Sequence, residues 1–383
     1  MSSQLYSPIT LRGLSLDNRV VVSPMCQYSA EEGSATDWHL MHLGQLAISG
    51  PGLLIIEATG VEARGRITHG CLGLYSDANE AALARVIGFC RAHGKAKIGI
   101  QLAHAGRKAS AQRPWEGRGP LLPEEGAWEA IAPSPLSGSS VGSGTTTKQS
   151  RAWPPPRMMD RADMDTVRDA FVAAAERSER LGIDLIELHM AHGYLMHAFL
   201  SPISNRRNDD YGGSRGNRMR FPLEIFDAVR KVWPKDKPLG VRISASDWVE
   251  GGWDVADSIA LAAELKRHGC DYVCASSGGV SEQQKLALGP GYQVPFAERI
   301  RRDTGIPTMA VGMILEPDYA ESIVADGKAD MVALARGLLY DPRWPWHAAE
   351  ALGVGDAPSY PVQYERSRPA KWPEAFRPAK AAE

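Results

Sequence analysis

The sequence predicts a (β/α)₈ barrel, and three observations support this prediction. Eight short apolar runs recur along the chain, amphipathic helical patterns separate most of them, and 383 residues exceed the length that such a barrel needs. Eight strand–helix units take about 250 residues before insertions. Near-continuous apolar runs of this length suit parallel strands covered on both faces. The runs cover residues 20–23, 53–57, 98–102, 185–188, 239–243, 272–275, 308–311 and 331–334.

The segments between the runs have their own signals. Residues 5–19 alternate around Gly13, which predicts a small hairpin before the barrel. Residues 163–180 and 254–268 are predicted helices, and the second is followed by Gly269, a residue type that commonly ends helices. A doubly wound sheet is the alternative architecture. It usually has a glycine-rich fingerprint after its first strand, whereas here the first run leads into Ser23-Pro24-Met25-Cys26.

Two segments fall outside the alternation. Residues 113–156, rich in Gly, Ser, Pro and Trp, follow the third run and greatly exceed an ordinary loop of up to about 15 residues. We expect a capping loop there, on the face where barrels place their chemistry, with a disordered insert as the alternative. The tail, residues 358–383, has no helical period. We expect residues 1–383 to form one barrel domain carrying both segments.

Composition narrows the classes of partner. The formal net charge is −2 and there is no basic block, which argues against nucleic acid and anionic membrane surfaces. No apolar run approaches the roughly 18 residues of a membrane span. The polar start of the chain predicts no signal peptide, and the five scattered cysteines favour a reducing compartment. The expectation is a soluble, cytoplasmic protein.

Polar residues at the ends of the predicted strands are the candidate functional residues, because barrel enzymes build their sites at the carboxyl ends of the strands. Loops after the seventh and eighth strands often bind phosphate in this fold. Gly312 would let the backbone approach a phosphate, and Arg336 could pair with its charge. The alternative is that these loops are only tight turns. The strand-end segments that contain the candidate residues are 23–28, 57–59, 101–104 and 189–194, together with Arg242, Gly312 and residues 335–337.

His189, His192 and Tyr194 follow the fourth predicted strand. Two nearby histidines suggest zinc, but zinc sites normally have a third ligand, and no second cluster stands at another strand end. Two structural histidines are a further alternative. The functional alternative is a pair of imidazole donors directed at one ligand oxygen, with the Tyr194 phenol as a proton donor. Cys26 could tune an electron-accepting ring, or could be a small buried apolar residue.

At this point the sequence resembles the Old Yellow Enzymes, specifically the subclass of xenobiotic reductase A and the thermophilic-like ene reductases. The resemblance covers nearly the whole chain and rests on several ordered motifs. These motifs are residues 18–19, 23–28, 99–108, 189–194, 205–214, 217–218 and 363–366.

The resemblance implies a noncovalent FMN at the barrel mouth. Its ring would lie against residues 23–26 and Ala58, with Gln101 and Arg242 at the pyrimidine edge. The phosphate would be held by Gly312, Ala335 and Arg336. Cys26 would modulate the redox potential of the flavin. A metal is not expected.

The resemblance also implies an activity. NADPH, or alternatively NADH, would supply hydride, and enones, enals or nitroalkenes would be reduced. His189 and His192 would bind the carbonyl or nitro oxygen, Tyr194 would protonate the α-carbon, and Tyr28 would line the substrate pocket. Arg366 would reach the active site of a neighbouring subunit, which implies a homodimer or homotetramer.

Overall fold

Eight parallel strands close into a barrel in the computed structural model, which describes residues 3–138, 151–355 and 357–376. Neighbouring strands follow the order β10-β11-β12-β3-β4-β5-β8-β9, and β9 pairs with β10 to close the ring. The barrel prediction is confirmed, and each of the eight apolar runs overlaps one barrel strand. The strands are β1 (Ile9–Leu11), β2 (Leu14–Leu16), β3 (Val20–Val22), β4 (Leu53–Gly60), β5 (Lys97–Ala103), β6 (Ile131–Ala132), β7 (Arg157–Met158), β8 (Leu185–Met190), β9 (Leu239–Ser244), β10 (Val273–Ser276), β11 (Thr308–Ala310) and β12 (Met331–Leu334).

Helices cover the outside of the barrel. The apolar faces of the strands and helices pack together into one large buried cluster, as expected when both faces of a parallel sheet are covered. The α-helices are α1 (Asp37–Ala47), α2 (Asp77–His93), α3 (Arg161–Arg180), α4 (Leu195–Leu200), α5 (Arg215–Val232), α6 (Val255–Arg267), α7 (Val294–Thr304), α8 (Pro317–Ala325), α9 (Arg336–Tyr340), α10 (Trp344–Ala351) and α11 (Pro373–Phe376).

The two predicted helices are present with small shifts at their ends. α3 begins two residues before the predicted start, because Asp160 caps it by accepting the backbone N–H of Asp163 at 2.8 Å. Asp254 lies just outside α6 and accepts the N–H groups of Ala256 and Asp257. A capping aspartate therefore precedes each helix, which sequence patterns place only to within a residue or two.

The hairpin β1–β2 packs against the barrel interior. Leu11 and Leu16 are buried together with residues at the amino-terminal ends of the barrel strands, including Leu53 and Met331. The amino end of the barrel is therefore filled by apolar side chains. Polar groups concentrate at the opposite, carboxyl end.

The segment predicted as a capping loop is partly regular. It contains a 3₁₀ turn at Pro123–Glu125, and β6 pairs in parallel with β7, just beyond the predicted boundary. Arg151 also forms an ion pair with Glu125 at 2.7 Å. Residues 139–150 of the predicted loop lie outside the described residues, and its capping role stays a prediction.

The C-terminal tail contains two short helical turns, Val362–Ser367 and α11, although its sequence has no helical period. Both turns are too short to produce a periodic pattern. Residues 377–383 of the predicted tail lie outside the described part of the chain. In the ranges that are described, no helix combines the length and the apolar character needed to cross a membrane.

Candidate active site

A sharp turn after β8 brings His189, His192 and Tyr194 together. His192 has a backbone φ of +61° and Gly193 one of +75°, both in the left-handed region. A Cβ atom on Gly193 would lie 2.3 Å from the carbonyl oxygen of Gly279, so only glycine fits this position. The ring centroid of His189 is then 5.0 Å from that of His192 and 4.9 Å from that of Tyr194.

The buried carboxylate of Asp247 stabilises this turn through a network of hydrogen bonds. Asp247 accepts Nε2–H of His197 at 2.9 Å, the hydroxyl of Ser201 at 2.6 Å and the N–H of Trp253 at 2.7 Å. His197 in turn accepts the N–H of Gly193 through Nδ1 at 2.8 Å. Because Asp247 and His197 are fully buried, this network holds the turn in one conformation.

The two active-site histidines face each other. Nδ1 of His189 accepts the N–H of Ala191 at 3.2 Å, and its Nε2 lies 3.3 Å from Nδ1 of His192. Nε2 of His192 lies 2.8 Å from the hydroxyl of Ser276. Burial, and secondly the positive charge of Arg242, hold the pKa of each histidine well below its usual value. Both rings are therefore neutral at neutral pH, with one N–H each.

Tyr194 retains its proton at neutral pH. Burial raises the pKa of its phenol well above the usual value, and the neighbouring Cys26 adds to the shift. The ammonium of Lys108 lies 5.3 Å from the centroid of the Tyr194 ring and donates to the carbonyl oxygens of His192 and Gly279. Burial lowers the pKa of Lys108 to about 7. A titratable cation thus stands beside a buried phenol.

The floor of the site is formed by polar residues on the barrel strands. Arg242 reaches across the barrel mouth and donates to the hydroxyl of Ser23 at 2.8 Å, while its buried Nε has no partner among the described residues. Gln101 donates to Glu187 at 2.7 Å, and Tyr272 also donates to Glu187 at 3.0 Å. Burial raises the pKa of Glu187, although the Arg242 charge opposes the shift.

This floor fits the pyrimidine edge of a flavin. That edge carries carbonyl oxygens and an N–H group, so it needs both donors and an acceptor. Arg242 offers an unpartnered buried N–H, and Gln101 has an amide oxygen that its bond to Glu187 does not use. An unsatisfied buried donor costs about 1–3 kcal/mol, so a ligand acceptor at Arg242 would be favourable.

The residues predicted to hold a phosphate follow β11 and β12. Gly312 has a φ of +123°, and its carbonyl accepts the N–H of Gly291 at 2.7 Å. Arg336 is exposed at the start of α9, and Ala335 precedes it. Burial raises the pKa of Tyr292, and the nearby charges of Arg336 and Arg242 oppose that rise.

Residues 23–28, which follow β3, contain the sequence-predicted ring-side part of the candidate site. Burial raises the pKa of the Cys26 thiol, and the Glu57 charge raises it further, so Cys26 is a thiol rather than a thiolate. Pro24 and Met25 are half-buried, and Ala58 lies at a register shift between β4 and β5. The ring of Tyr28 packs edge-on against Trp115, with centroids 6.0 Å apart. Trp115 belongs to the predicted capping loop and is 65% exposed.

Arg366 is not brought to the site within one chain. It lies exposed on the Val362–Ser367 turn, and neighbouring Tyr364 packs against Trp346 of α10. In the part of the chain that the structure describes, Arg366 makes no hydrogen bond or ion pair with His189, His192 or Tyr194. The role of Arg366 in the site of a neighbouring subunit stays a prediction.

Among the described residues, the zinc alternative has no third His, Cys, Asp or Glu ligand beside the two histidines. Within residues 3–138, 151–355 and 357–376, no group of three or more His, Cys, Asp or Glu side chains could hold a metal ion. His192 directs its free nitrogen toward a serine hydroxyl instead.

Known proteins provide an independent comparison. A family described as NADH:flavin oxidoreductase / NADH oxidase matches residues 4–353. The NADPH dehydrogenase of Geobacillus thermodenitrificans is 46% identical over 370 residues, covering 96% of this chain and 99% of that protein. The NADPH dehydrogenase of Bacillus subtilis is 43% identical over 368 residues, covering 96% and 99%. A structure of morphinone reductase in complex with tetrahydroNAD aligns with a TM-score of 0.74 at 28% identity, covering 94% of this chain and 93% of that chain.

These findings define a flavin-dependent oxidoreductase that uses FMN and NAD(P)H. The chain belongs to the NADH:flavin oxidoreductase / NADH oxidase family, and the resemblance to the Old Yellow Enzymes is confirmed.

The sequence did not single out several residues that complete the site. Lys108, Ser276 and Asp247 contact the His189–Tyr194 segment or its supports from distant parts of the chain. Glu187 carried a usable signal, because an acidic residue in the middle of an apolar barrel strand must have buried partners. Ser276 carried none, since serine is common at strand ends.

Proposed function

We propose that this protein is an ene reductase, which reduces the activated C=C bond of an α,β-unsaturated carbonyl or nitro compound. The observation that carries the proposal is the convergence of His189, His192 and Tyr194 above Arg242. His189 lies opposite Arg242 in the register of β8 and β9. The proposed oxygen-binding pair and proton donor are therefore next to the residues that fit a flavin.

The histidine pair suits a substrate whose oxygen becomes negative during the reaction. Hydride addition to the β-carbon of an enone builds negative charge on the carbonyl oxygen. N–H donors fixed in a buried site stabilise that charge, and losing one such donor typically costs about 3–4 kcal/mol of barrier. FMN, once reduced by NADPH or NADH, supplies the hydride.

Tyr194 suits the second half of the addition. The π bond of the alkene breaks as hydride reaches the β-carbon, and the phenol proton of Tyr194 forms the new C–H bond at the α-carbon. Water then restores the phenol. The high pKa of Tyr194 keeps the proton available at neutral pH, and Lys108 beside the ring favours the tyrosinate that remains.

For the cofactor we infer the binding set predicted from sequence, together with two residues that the structure adds. Gln101 and Arg242 would bond the pyrimidine edge, the segment 23–26 and Ala58 would pack against the ring, and Gly312, Ala335 and Arg336 would hold the phosphate. Cys26, as a neutral thiol, would adjust the redox potential. We add Glu187, which accepts a hydrogen bond from Gln101, and Tyr292, whose pKa is raised by burial and lowered in part by the charges of Arg336 and Arg242.

We further propose a homodimer or homotetramer in which Arg366 of one subunit completes the pocket of another, as in the subclass of xenobiotic reductase A. The exposure of Arg366, and the absence of a hydrogen bond or ion pair with its own site residues among the described residues, support this arrangement. Arg366→Ala should weaken enone binding without changing FMN content. Mixed oligomers of Arg366→Ala and Tyr194→Phe subunits provide a further test. If the arginine acts across the interface, the site that keeps Tyr194 receives Arg366 from the other subunit and should be active.

Separate measurement of the two half-reactions tests the proposal. The purified protein should be yellow and should oxidise NADPH when 2-cyclohexenone is present. Tyr194→Phe should slow reoxidation by 2-cyclohexenone about 100-fold or more, while reduction by NADPH stays near the wild-type rate. Tyr340→Phe, which removes the phenol of a 94% exposed side chain, is the control and should leave reoxidation by the enone within about threefold. Equal losses in both half-reactions of Tyr194→Phe would refute the proton-donor assignment.

A further inference from the structure

His192 contacts Ser276, and this contact bears on which ring nitrogen of His192 carries the proton. A neutral imidazole carries one N–H, and its other nitrogen can only accept. His189 must be protonated on Nε2, because its Nδ1 accepts the backbone N–H of Ala191. For both histidines to donate to one oxygen, His192 must carry its proton on Nδ1, the nitrogen that faces His189.

Without a ligand the opposite tautomer of His192 is favoured. Nε2–H of His189 lies 3.3 Å from Nδ1 of His192, so a proton on both nitrogens would place two donors head to head. With its proton on Nε2 instead, His192 accepts from His189 and donates to the Ser276 hydroxyl at 2.8 Å. The Ser276 hydroxyl then donates to Oε1 of Gln293 at 3.3 Å. This gives a continuous chain of donors and acceptors.

We propose that Ser276 is a positioning residue that sets the tautomer of His192, so that His192 becomes the second donor when a substrate oxygen lies between the histidines. The Ser276 hydroxyl rotates from Gln293 to His192 and donates to Nε2. His192 releases its Nε2 proton to water and takes one from water at Nδ1, so the ring stays neutral. This inference rests on the proposed function, because it assumes an oxygen ligand at the pair.

The surroundings make this rotation inexpensive. Oε1 of Gln293 also accepts the hydroxyl of Ser277 at 2.7 Å, so it keeps a partner when Ser276 turns away. The backbone of His192 is held at both ends, since Ser244 accepts its N–H at 2.9 Å and Lys108 donates to its carbonyl at 2.9 Å. The ring therefore keeps its place while only hydrogens move. Ser276 is 3% exposed, so bulk water does not substitute for its hydroxyl.

Nitrogen-15 NMR of histidine-labelled, FMN-loaded protein tests the proposal, because the two tautomers have different nitrogen shifts. The His192 signals are assigned by their loss in His192→Asn. In oxidised wild-type protein we expect the Nε2–H tautomer alone, changing to Nδ1–H when 2-cyclohexenone is added without NADPH. Ser276→Ala should give a mixture of tautomers before the enone is added and an incomplete change after it.

Two variants separate this role from a merely structural one. Ser276→Thr keeps the hydroxyl and should restore the wild-type spectrum. Ser277→Ala removes the neighbouring serine, which also donates to Gln293, and should leave the ligand-free tautomer of His192 as in the wild type. Ser276→Ala should also slow reoxidation by 2-cyclohexenone about tenfold, the loss expected for one hydrogen bond. Ser276→Thr should recover most of that rate.

The outcomes distinguish this inference from the proposed function. An unchanged single tautomer of His192 in Ser276→Ala, with a wild-type rate on 2-cyclohexenone, would overturn the role of Ser276 and leave the ene reductase proposal intact. The opposite result is also informative. If the ligand-free tautomer of His192 changes in Ser276→Ala but the wild-type protein never reduces an enone, the proposed function alone would be overturned.

Discussion

Replacing Lys108 with methionine tests how the site makes a buried phenol acidic enough to act. Methionine keeps the length and apolar stem of the side chain but removes the charge 5.3 Å from the Tyr194 ring centroid. If the tyrosinate charge is taken at the ring centroid, a unit charge 5.3 Å away stabilises it by ~3 kcal/mol, or ~2 pKa units, at an effective dielectric constant of about 20. If about half of this appears in the barrier, protonation of the substrate should slow ~10-fold.

The pH dependence of this effect gives a sharper result. Lys108 carries its charge below its pKa of about 7 and loses it above that value. The ratio of wild-type to Lys108→Met reoxidation rates should therefore be ~10 near pH 6 and approach 1 near pH 8.5. The assay is rapid mixing of NADPH-reduced protein with 2-cyclohexenone across this range. A ratio that stays constant with pH would refute the electrostatic reasoning.

Lys108 also donates to two carbonyl oxygens, so its loss could displace the turn. Binding of 2-cyclohexenone to the oxidised protein depends on the position of the histidines but not on the acidity of Tyr194. Unchanged enone affinity with slower protonation would separate the two effects. Lys95→Met, which removes an exposed lysine, is the control for net charge and should match the wild type.

Three further substitutions have expected outcomes. Asp247→Ala leaves three buried donors unpaired, which should cost ~4 kcal/mol and lower Tm by ~5 °C in calorimetry; an unchanged Tm would contradict the support assigned to this carboxylate. Gly193→Ala, with φ at +75° and the carbonyl of Gly279 2.3 Å from the new Cβ, should lose ~2–3 kcal/mol of stability and much of its enone affinity, both measured by titration; normal enone binding would mean that the turn tolerates a side chain. Arg242→Met should weaken FMN binding ~10–100-fold in a flavin fluorescence titration, the loss of one charge-assisted hydrogen bond, and an unchanged affinity would remove Arg242 from the cofactor site.

The barrel was predictable because its signal is local. Each strand is an apolar run that can be recognised without knowing its contacts with the rest of the chain. Leu185–Met190 is a clear example. The position of His189 at a strand end also follows from that run, since barrel chemistry lies at carboxyl ends. The pattern of one segment therefore located both the element and its candidate site.

The supports of the site were not predictable, because they depend on contacts between distant residues. Lys108 and Ser276 each lie 84 positions from His192 along the chain. The loops that bring them together are set by packing of the whole barrel, which leaves no periodic trace. The left-handed backbone of His192 was also not predictable from the sequence, because most non-glycine residues have a negative φ.

Anaerobic mixing of the reduced protein with an enone tests the central claim most directly. The protein is first reduced with one equivalent of NADPH, freed of excess nucleotide, and then mixed with 2-cyclohexenone in the absence of oxygen. We predict that the yellow absorbance returns and that one cyclohexanone forms per FMN. An absorbance that stays bleached until oxygen is admitted, with no cyclohexanone formed, would contradict the assignment of this site to alkene reduction.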